Sequence, residues 1–363
     1  MIAKSASTGN YFSELRQDCL NASSAQPDIR TKLGLTRIAV TGGTGFLGTW
    51  IAEMIATLND EYDLKITLDL YARNISEWEK KYPHLSSRSD ILLYSQDVRS
   101  SFQFHSATNY VIHAAGVPNN RVHASDPLRV MQTTIDGIRN TLDAASQLDN
   151  LTRFINVSSG LVSGAPNRPG PLFESDYFPI PSGQLHLVYV DAKRTAESIA
   201  TVYRSKLRMP VSTIRPFTFA GPYQSLDRPW AINSFLGDAI MARDIRIHGD
   251  GSARRSYLYG SDAAWWILSA LINGIDGAVY NLGSSVAISH IELAQLICKY
   301  ISPGLGIVVN TAPFKTEQHD ELYPSVSHLK STLGVEETCN LNQAIEKTWR
   351  WLLATKSQNS MQH

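Results

Sequence analysis

One tyrosine and one lysine are spaced so that together they could move a proton. Tyr189 and Lys193 stand four positions apart in a segment predicted to form a helix up to about Leu207, so both side chains lie on one helical face. An ammonium beside a phenol lowers the pKa of the phenol toward neutrality, which suits an acid/base for an alcohol-to-ketone step. This spacing also occurs by chance in many helices. It gains weight because Ser158 and Ser159 end a predicted strand upstream, where a hydroxyl could bind the reacting oxygen.

Residues 38–51 have the features of a dinucleotide-binding turn. They begin as an apolar β-branched run, turn through Gly42, Gly45 and Gly48, and continue with apolar residues at helical spacing. Glycine adopts positive φ in tight turns and lets backbone N–H groups approach a ligand, and a helix N-terminus offers donors and partial positive charge to a pyrophosphate. A glycine motif alone is weak evidence. A strand before it and a helix after it are the context that predicts dinucleotide binding.

The second predicted strand, residues 65–74, bears on which dinucleotide is bound. At the carboxyl end of this strand a Rossmann unit meets the adenosine ribose, where an acid pairs with the 2′-hydroxyl of NAD and an arginine suits the 2′-phosphate of NADP. Asp69 has the charge that suits NAD, but the strand pattern continues beyond it. Arg73 stands where the strand should end. We therefore place Arg73 at the ribose, with a solvated surface arginine as the alternative.

The remaining apolar runs alternate with helical patterns, which predicts an α/β fold with a Rossmann doubly wound parallel sheet. Further strands are expected at residues 91–94, 110–116, 154–159 and 211–217, and a long helix at residues 127–148. The small residues Ala114, Ala115 and Gly116 end the fourth strand and would let a cofactor lie against the backbone. We interpret His113, which follows a β-branched run, as a packed structural histidine rather than a catalyst.

The domain organisation follows from these elements. We expect an NAD(P)-binding Rossmann domain over residues 36–215, a smaller interleaved α/β substrate-binding region over 216–355 and a tail over 356–363. Residues 1–35 are rich in Ser, Asn and Gln, and we expect a mobile extension or a strap over the surface. A Pro- and Gly-rich loop at residues 160–184 follows the fifth strand, at the sheet edge where α/β sites form.

Composition excludes several function classes. The chain has 363 residues, with 43% hydrophobic and 18% charged residues and a formal net charge of zero, so no global charge favours nucleic acid or a membrane surface as a partner. Its three cysteines show neither metal-ligand nor disulfide spacing, and no metal site is expected. Without a long apolar run or a signal-peptide core, the sequence predicts a cytoplasmic protein.

Taken in order, the motifs resemble one family: the extended short-chain dehydrogenase/reductases, specifically the NAD-dependent epimerase/dehydratase branch that acts on nucleotide sugars. The resemblance covers roughly residues 36–353. The motifs that carry it are Thr41-Gly42-Gly43-Thr44-Gly45-Phe46-Leu47-Gly48, Asp97-Val98, His113-Ala114-Ala115-Gly116, Ser158-Ser159-Gly160, Tyr189 with Lys193, Arg215-Pro216-Phe217, Gly221-Pro222, Gly249-Asp250-Gly251 with Arg255, and Tyr280-Asn281-Leu282-Gly283. So many elements in order are specific for the family and not for one member.

The resemblance implies a role for each matching residue. Tyr189 would be the catalytic acid/base, Lys193 would orient the nicotinamide ribose and lower the pKa of Tyr189, and Ser159 would hydrogen-bond the sugar C4 oxygen. Hydride would pass between C4 and the nicotinamide. The implied cofactor-binding residues, with the ribose residue favoured above, are Gly42, Thr44, Gly45, Phe46, Leu47, Gly48, Arg73, Asp97, Val98, Ala114, Ala115, Gly116, Tyr189 and Lys193. The implied substrate-binding residues are Ser159, Thr218 and Arg255, of which Arg255 looks like the arginine that clamps the diphosphate; a solvated basic pair with Arg254 is the alternative.

Departures from the family pattern disfavour two of the reactions that the family catalyses. The 4,6-dehydratases of the family carry Asp-Glu where this chain has Gly160 and Leu161, and related decarboxylases place a Glu at the position of Leu161. Neither residue here transfers protons, so dehydration and decarboxylation by the usual machinery are disfavoured. Ser163 replaces the tyrosine of the family's Val-Tyr-Gly, and Thr218 replaces an asparagine, which leaves the sugar contacts open.

The sequence therefore predicts an NAD(P)-dependent nucleotide-sugar 4-epimerase or 4-ketoreductase. A tightly held NAD suits an epimerase and a dissociable NADPH suits a ketoreductase; Arg73 favours NADP, whereas the family favours NAD. One alternative is an oxidoreductase of the same fold acting on a non-nucleotide substrate, and another is a non-catalytic NAD(P)-sensing module. Family members commonly dimerise through a four-helix bundle, so a homodimer through the helices at residues 127–148 and 189–207 is expected.

Overall fold

The computed structural model of the chain describes residues 8–181, 183–310 and 320–360. In chain order its strands are β1 (Arg37–Thr41), β2 (Thr67–Ala72), β3 (Ile91–Ser95), β4 (Tyr110–His113), β5 (Arg153–Val157), β6 (Val211–Pro216), β7 (Thr218–Ala220), β8 (Ile245–His248), β9 (Arg254–Tyr259), β10 (Val279–Leu282), β11 (Ala287–Ser289), β12 (Ile307–Asn310) and β13 (Glu321–Leu322). Its helices are α1 (Thr8–Ser23), α2 (Pro27–Leu33), α3 (Phe46–Tyr62), α4 (Ser76–Lys81), α5 (Pro83–Ser86), α6 (Asn120–Ser125), α7 (Pro127–Ala145), α8 (Val188–Leu207), α9 (Ala231–Ile240), α10 (Gly260–Asn273), α11 (His290–Tyr300), α12 (Ser327–Leu333) and α13 (Leu341–Ser360). Gly160–Ser163 and Leu185–Leu187 form short 3-10 helices.

A seven-stranded parallel sheet forms the centre of the molecule, in the order β3-β2-β1-β4-β5-β6-β10. The strand order reverses direction between β1 and β4, and the carboxyl ends at such a reversal form the crevice in which doubly wound folds bind ligands. The predicted Rossmann doubly wound fold is therefore confirmed.

The sheet is buried on both faces because alternate residues of each strand pack into separate cores. Ile38 and Val40 of β1 join Trp50 of α3 and Trp265 of α10 in one cluster. Ala39, the residue between them, packs on the opposite face in a second cluster with residues of α7 and α8. This pattern explains why the strands are near-continuous apolar runs.

Strands β7, β8, β9, β11, β12 and β13 lie outside the main sheet, and we call them the smaller unit. Strand β9 lies between β11 and β13 and also pairs with β7, whereas β8 and β12 form a separate two-stranded sheet. Strand β10 then returns to the edge of the main sheet beside β6. The predicted boundaries at residues 215/216 and 355/356 stay a prediction.

Helices α1 and α2 occupy the described part of the predicted extension 1–35. Leu15 and Cys19 of α1 and Leu33 of α2 are buried in the core. The carboxylate of Asp18 accepts a hydrogen bond from the Tyr259 hydroxyl at 2.9 Å and pairs with Lys347 at 2.5 Å. Helices α1 and α2 therefore pack against the core rather than forming a mobile extension, and residues 1–7 lie outside the described residues.

In the part of the chain that the structure describes, no helix is both long enough and apolar enough to cross a bilayer.

Candidate active site

The turn between β1 and α3 is packed so closely that Gly42 and Gly48 leave no room for a side chain. Gly42 adopts φ +72°, and a Cβ there would lie 2.7 Å from the carbonyl oxygen of Ala114. A Cβ on Gly48 would lie 2.2 Å from the carbonyl oxygen of Gly43. The turn thus rests against the end of β4, and the first turn of α3 rests against the turn.

The N-terminus of α3 fits a pyrophosphate. Gly45 is its N-cap and provides no side-chain cap, so the first N–H groups of α3 are left for a ligand. Thr44, Phe46 and Leu47 are only partly buried and Gly45 is exposed, so the backbone of the turn faces outward. Unpaired donors and the positive end of the helix dipole are the features by which a helix N-terminus can bind a phosphate anion.

The two residues considered for the adenosine ribose lie in different environments. Asp69 is buried within β2 and accepts two hydrogen bonds from the Arg37 guanidinium, at 2.7 and 2.8 Å. The Asp69 carboxylate is therefore paired with Arg37 of β1. Arg73 follows the last residue of β2 and is exposed, so it is the residue of the two at the strand end, as expected.

Asp97 and Val98, expected at the adenine, follow β3. The Asp97 carboxylate accepts hydrogen bonds from Arg99, the shortest at 2.6 Å, which lower the pKa of Asp97, and the charge of Arg73 adds to this lowering. Val98 is buried, and its carbonyl accepts a hydrogen bond from Asn140 of α7 at 2.9 Å. Sequence reasoning missed Arg99; only its position two residues after Asp97 could have indicated it.

The end of β4 lies between the glycine turn and Lys193. The Nδ1 of His113 lies 2.8 Å from the hydroxyl of Thr41. Burial, aided by the charge of Lys193, lowers the pKa of His113 to about 3, so the ring is neutral and structural, as interpreted from the sequence. Ala114 and Ala115 follow against Gly42, and a Cβ on Gly116 would lie 3.8 Å from the Lys193 Nζ.

The predicted Ser–Tyr–Lys residues come together at the carboxyl end of β5. Tyr189 and Lys193 lie in the first turns of α8, and Ser159 caps the 3-10 helix that follows β5 by accepting a hydrogen bond from the Leu161 N–H at 3.2 Å. The Lys193 ammonium donates to the Val157 carbonyl at 2.8 Å. All three side chains are buried, with Tyr189 and Ser159 7% exposed and Lys193 5% exposed.

The pKa values in this site differ from the expectation. Burial raises the pKa of Tyr189 to about 12, although a hydrogen bond with Ser159 opposes the rise. Burial also lowers the pKa of Lys193 to about 8, opposed by the charge of Glu197. The expected lowering of the Tyr189 pKa toward neutrality is therefore wrong for this structure, because desolvation of the phenol is the larger effect.

Sequence reasoning also missed His123, which stacks on Tyr189. It lies on α6, a six-residue helix between β4 and α7 that the sequence analysis did not predict. The ring centroids of His123 and Tyr189 are 4.3 Å apart, with 12° between the ring planes. No spacing in the sequence links these two residues, so only the tertiary structure shows the contact.

The structure also explains why Gly160 differs from the acid that dehydratases carry at this position. A Cβ on Gly160 would lie 2.7 Å from ring carbons of Phe217, so no larger residue fits while the phenyl ring holds this position. Leu161 is 37% exposed and presents an apolar side chain at the next position.

The expected substrate residues lie on adjacent strands of the smaller unit. Thr218 begins β7 in register with Tyr257 of β9, two positions from Arg255. The Arg255 guanidinium is not a solvated charge: it donates to the Asp320 carboxylate at 2.8 Å and to the backbone carbonyls of Arg254 and Asp320 at 2.8 and 2.9 Å. Any anion that binds Arg255 therefore competes with Asp320.

The chain is similar to several known proteins. Residues 38–283 match the model of the NAD dependent epimerase/dehydratase family. UDP-glucuronic acid decarboxylase 1 of Arabidopsis thaliana is 27% identical over 316 residues, 86% of this chain and 68% of the relative. UDP-N-acetyl-alpha-D-glucosaminuronate decarboxylase of Bacillus cytotoxicus is 25% identical over 323 residues, 87% of this chain and 97% of the relative.

Among solved structures, UDP-glucuronic acid 4-epimerase of Bacillus cereus in complex with UDP-glucuronic acid and NAD superposes with a TM-score of 0.75. It is 20% identical, and the match covers 88% of this chain and all of the epimerase chain. At 20% identity this structural similarity supports the fold of the chain and not its activity.

Proposed function

Because the chain belongs to the NAD-dependent epimerase/dehydratase family and is an NAD-dependent enzyme, we propose that it moves a hydride at C4 of a nucleotide-diphosphate sugar, as a 4-epimerase or a 4-ketoreductase. The observation that carries the proposal is the convergence of Ser159, Tyr189 and Lys193 beside the glycine turn. A pyrophosphate cradle and a proton-transferring group then share one edge of the sheet. A non-catalytic sensor of the dinucleotide has no need for such a set.

The chemistry of each side chain follows from its surroundings. When bound, the dinucleotide supplies the hydride acceptor or donor. A Tyr189 pKa near 12 keeps the phenol protonated at neutral pH, the state that donates a proton to the C4 oxygen as a 4-keto sugar is reduced. Oxidation in the opposite direction first requires the Tyr189 phenol to lose its proton to solvent, after which the phenolate oxygen accepts the proton of the C4 hydroxyl. Ser159 hydrogen-bonds the reacting oxygen, and Lys193 places a cation within the cofactor site.

The nucleotide-sugar assignment is supported by Arg255 and by the relatives. An arginine fork binds phosphate oxygens well, and the Asp320 carboxylate shows that Arg255 already holds an anionic group in this position. The matching relatives and the superposed epimerase are named for UDP-sugars. We infer a diphosphate that takes the place of Asp320 on Arg255.

The choice of reaction rests on Gly160 and Leu161. Gly160 has no room for the acid that dehydratases of the family carry, and Leu161 has no proton to transfer. A decarboxylase is the second candidate, because two relatives that span most of this chain carry that name. Incubation with UDP-glucuronic acid separates a 4-epimerase from a decarboxylase, because the epimerase gives a product of unchanged mass and the decarboxylase gives loss of carbon dioxide.

We propose that the adenosine site binds NADP(H) as well as NAD(H). Arg73 is exposed at the end of β2, and the Asp97 carboxylate beside it is already paired with Arg99, so the Arg73 guanidinium suits a 2′-phosphate. Mass spectrometry of the dinucleotide released from purified protein tests this. Recovery of NAD alone would contradict it and would favour a 4-epimerase that recycles a tightly held cofactor.

A homodimer through α7 and α8 is part of the proposal. The two helices pack against each other and expose Leu128, Met131 and Val202, which are 72, 36 and 56% accessible. Light scattering during size-exclusion chromatography tests the dimer, and a monomeric mass at micromolar concentration would contradict it.

Tyr189→Phe tests the proposed function. The ring stays in place while the transferable proton is lost, so turnover should fall by about 100-fold or more with dinucleotide affinity retained. Tyr203→Phe on the same helix is the matched control, because Tyr203 bonds Asp143 away from the site. A panel of UDP-hexoses and 4-keto sugars, followed by nuclear magnetic resonance and nicotinamide absorbance, provides the assay. Turnover retained in Tyr189→Phe would refute the function.

A further inference from the structure

The imidazole of His123 lies flat on the phenol of Tyr189. The centroids are 4.3 Å apart and the planes are 12° from parallel. We propose that His123 is a positioning residue that holds the Tyr189 ring in the orientation from which its hydroxyl exchanges a proton with the substrate. The inference rests on the proposed role of Tyr189 and adds a residue to the same site.

His123 is itself held firmly. Its Nε2 lies 2.6 Å from the Val117 carbonyl oxygen. Since a carbonyl only accepts, Nε2 carries the proton and donates it. Helix α6, which bears His123, begins at an Asn119 cap whose side chain accepts a hydrogen bond from the Arg121 N–H at 3.0 Å. The imidazole is therefore fixed by its helix and by a hydrogen bond to the loop that follows β4.

The ring acts as a neutral aromatic surface rather than as a charge. His123 is buried, and desolvation lowers its pKa, although the bond to Val117 opposes the shift. Val117 and Val130 are the buried apolar residues that share the cluster with Tyr189. The phenol therefore lies in an apolar pocket of which His123 forms a flat wall, and stacked rings of this kind attract each other beyond their burial.

A fixed phenol matters because proton transfer depends steeply on distance. The Tyr189 hydroxyl lies at the far end of the side chain, so a small swing of the ring displaces the oxygen by more than the ring centre moves. A displacement of about 1 Å at a reacting group can lower the rate by about 100-fold. The Ser159 hydroxyl interacts with the Tyr189 oxygen, and the stack on His123 restrains the plane of the ring.

Two variants separate the ring from the hydrogen bond of His123. His123→Phe keeps an aromatic face for Tyr189 and loses the donor to Val117, whereas His123→Gln keeps an amide donor of similar reach and loses the aromatic face. We expect His123→Gln to lower kcat about tenfold with KM within about twofold of the wild type, because the interaction acts on the transition state. We expect His123→Phe to stay within about threefold of the wild-type kcat.

A double-mutant cycle with Tyr189→Phe provides the readout that a structural role alone would not give. If His123 acts through the Tyr189 hydroxyl, adding His123→Gln to Tyr189→Phe should lower the residual rate less than twofold, about a fifth of its effect in the wild type. Dinucleotide affinity within about twofold in both His123 variants shows that the site is folded.

The outcomes are distinct. Equal loss of kcat in His123→Phe and His123→Gln, wild-type kcat in His123→Gln, or the full tenfold loss on top of Tyr189→Phe would each overturn the inference and leave the proposed function standing. Full turnover in Tyr189→Phe would overturn the proposed function, and the inference with it.

Discussion

Replacing Lys193 with methionine should stabilise the folded protein while it abolishes turnover. The ammonium is buried, and desolvation lowers its pKa from an ordinary value of 10.5 to about 8. Below pH 8 the folded protein therefore holds a charge that would be better solvated in the unfolded chain. Methionine has a similar length and fills the space without a charge.

The magnitude follows from the shift in pKa. The 2.5-unit difference between 10.5 and about 8, at 1.36 kcal/mol per unit, corresponds to a penalty of about 3 kcal/mol near neutral pH. Loss of the hydrogen bond to the Val157 carbonyl offsets about 1 kcal/mol. Lys193→Met should therefore raise the free energy of unfolding by about 2 kcal/mol at pH 7.

The difference in stability between the variant and the wild type should depend on pH, because Lys193 titrates at different pH in the folded and unfolded protein. Between pH 8 and 10.5 the folded lysine is already neutral while the unfolded one is still protonated, so the wild type gains stability as the pH rises and the variant does not. The advantage of Lys193→Met should fall by about 2 kcal/mol between pH 7 and 9.5. Urea unfolding of both proteins at the two pH values measures it. A variant less stable than the wild type at pH 7, or an advantage that does not change with pH, would refute the reasoning.

Three further predictions concern the turn, the ribose site and the first helix. Gly48→Ala should lower dinucleotide affinity at least about tenfold, because its Cβ would lie 2.2 Å from the Gly43 oxygen. The control Gly237→Ala, with nothing within 4 Å of the new Cβ, should keep the wild-type affinity. Equal affinities in the two variants would contradict this prediction. Arg73→Ala should weaken NADPH binding about tenfold and leave NADH binding unchanged in calorimetric titrations, and equal losses would exclude a 2′-phosphate contact. Asp18→Ala should lower the free energy of unfolding by about 3 kcal/mol, since it leaves Tyr259 and Lys347 unpaired. The control is Arg350→Ala, which removes the exposed ion pair between Arg350 and Glu14 and should lower the free energy of unfolding by less than about 1 kcal/mol. An equally small loss in Asp18→Ala would mean that α1 contributes little to stability.

Much of the fold could be predicted from the sequence because its strands are buried on both faces. Such strands appear as continuous apolar runs, and their alternation with helical patterns allows few topologies. Helix α1 was harder to predict. Its buried residues Leu15 and Cys19 lie within a stretch rich in polar residues, so only the short piece at residues 11–15 looked amphipathic.

The site was predictable where chemistry depends on spacing and unpredictable where it depends on burial. The four-residue interval from Tyr189 to Lys193 fixes a shared helical face. It does not reveal that both groups are desolvated, which reverses the expected direction of the Tyr189 pKa. Contacts such as His123 on Tyr189 and Asp320 on Arg255 join segments far apart in the chain, so no local pattern announces them.

We propose that Tyr189 and the dinucleotide together oxidise or reduce C4 of a nucleotide sugar. The most direct measurement follows deuterium placed at C4 of UDP-sugars, or on the reduced nicotinamide when a 4-keto sugar is supplied, by mass spectrometry of sugar and dinucleotide. The proposed function predicts transfer of the label between C4 and the nicotinamide in the wild type and none in Tyr189→Phe. Conversion of the sugar with the label left unmoved, or equal transfer in both proteins, would contradict it.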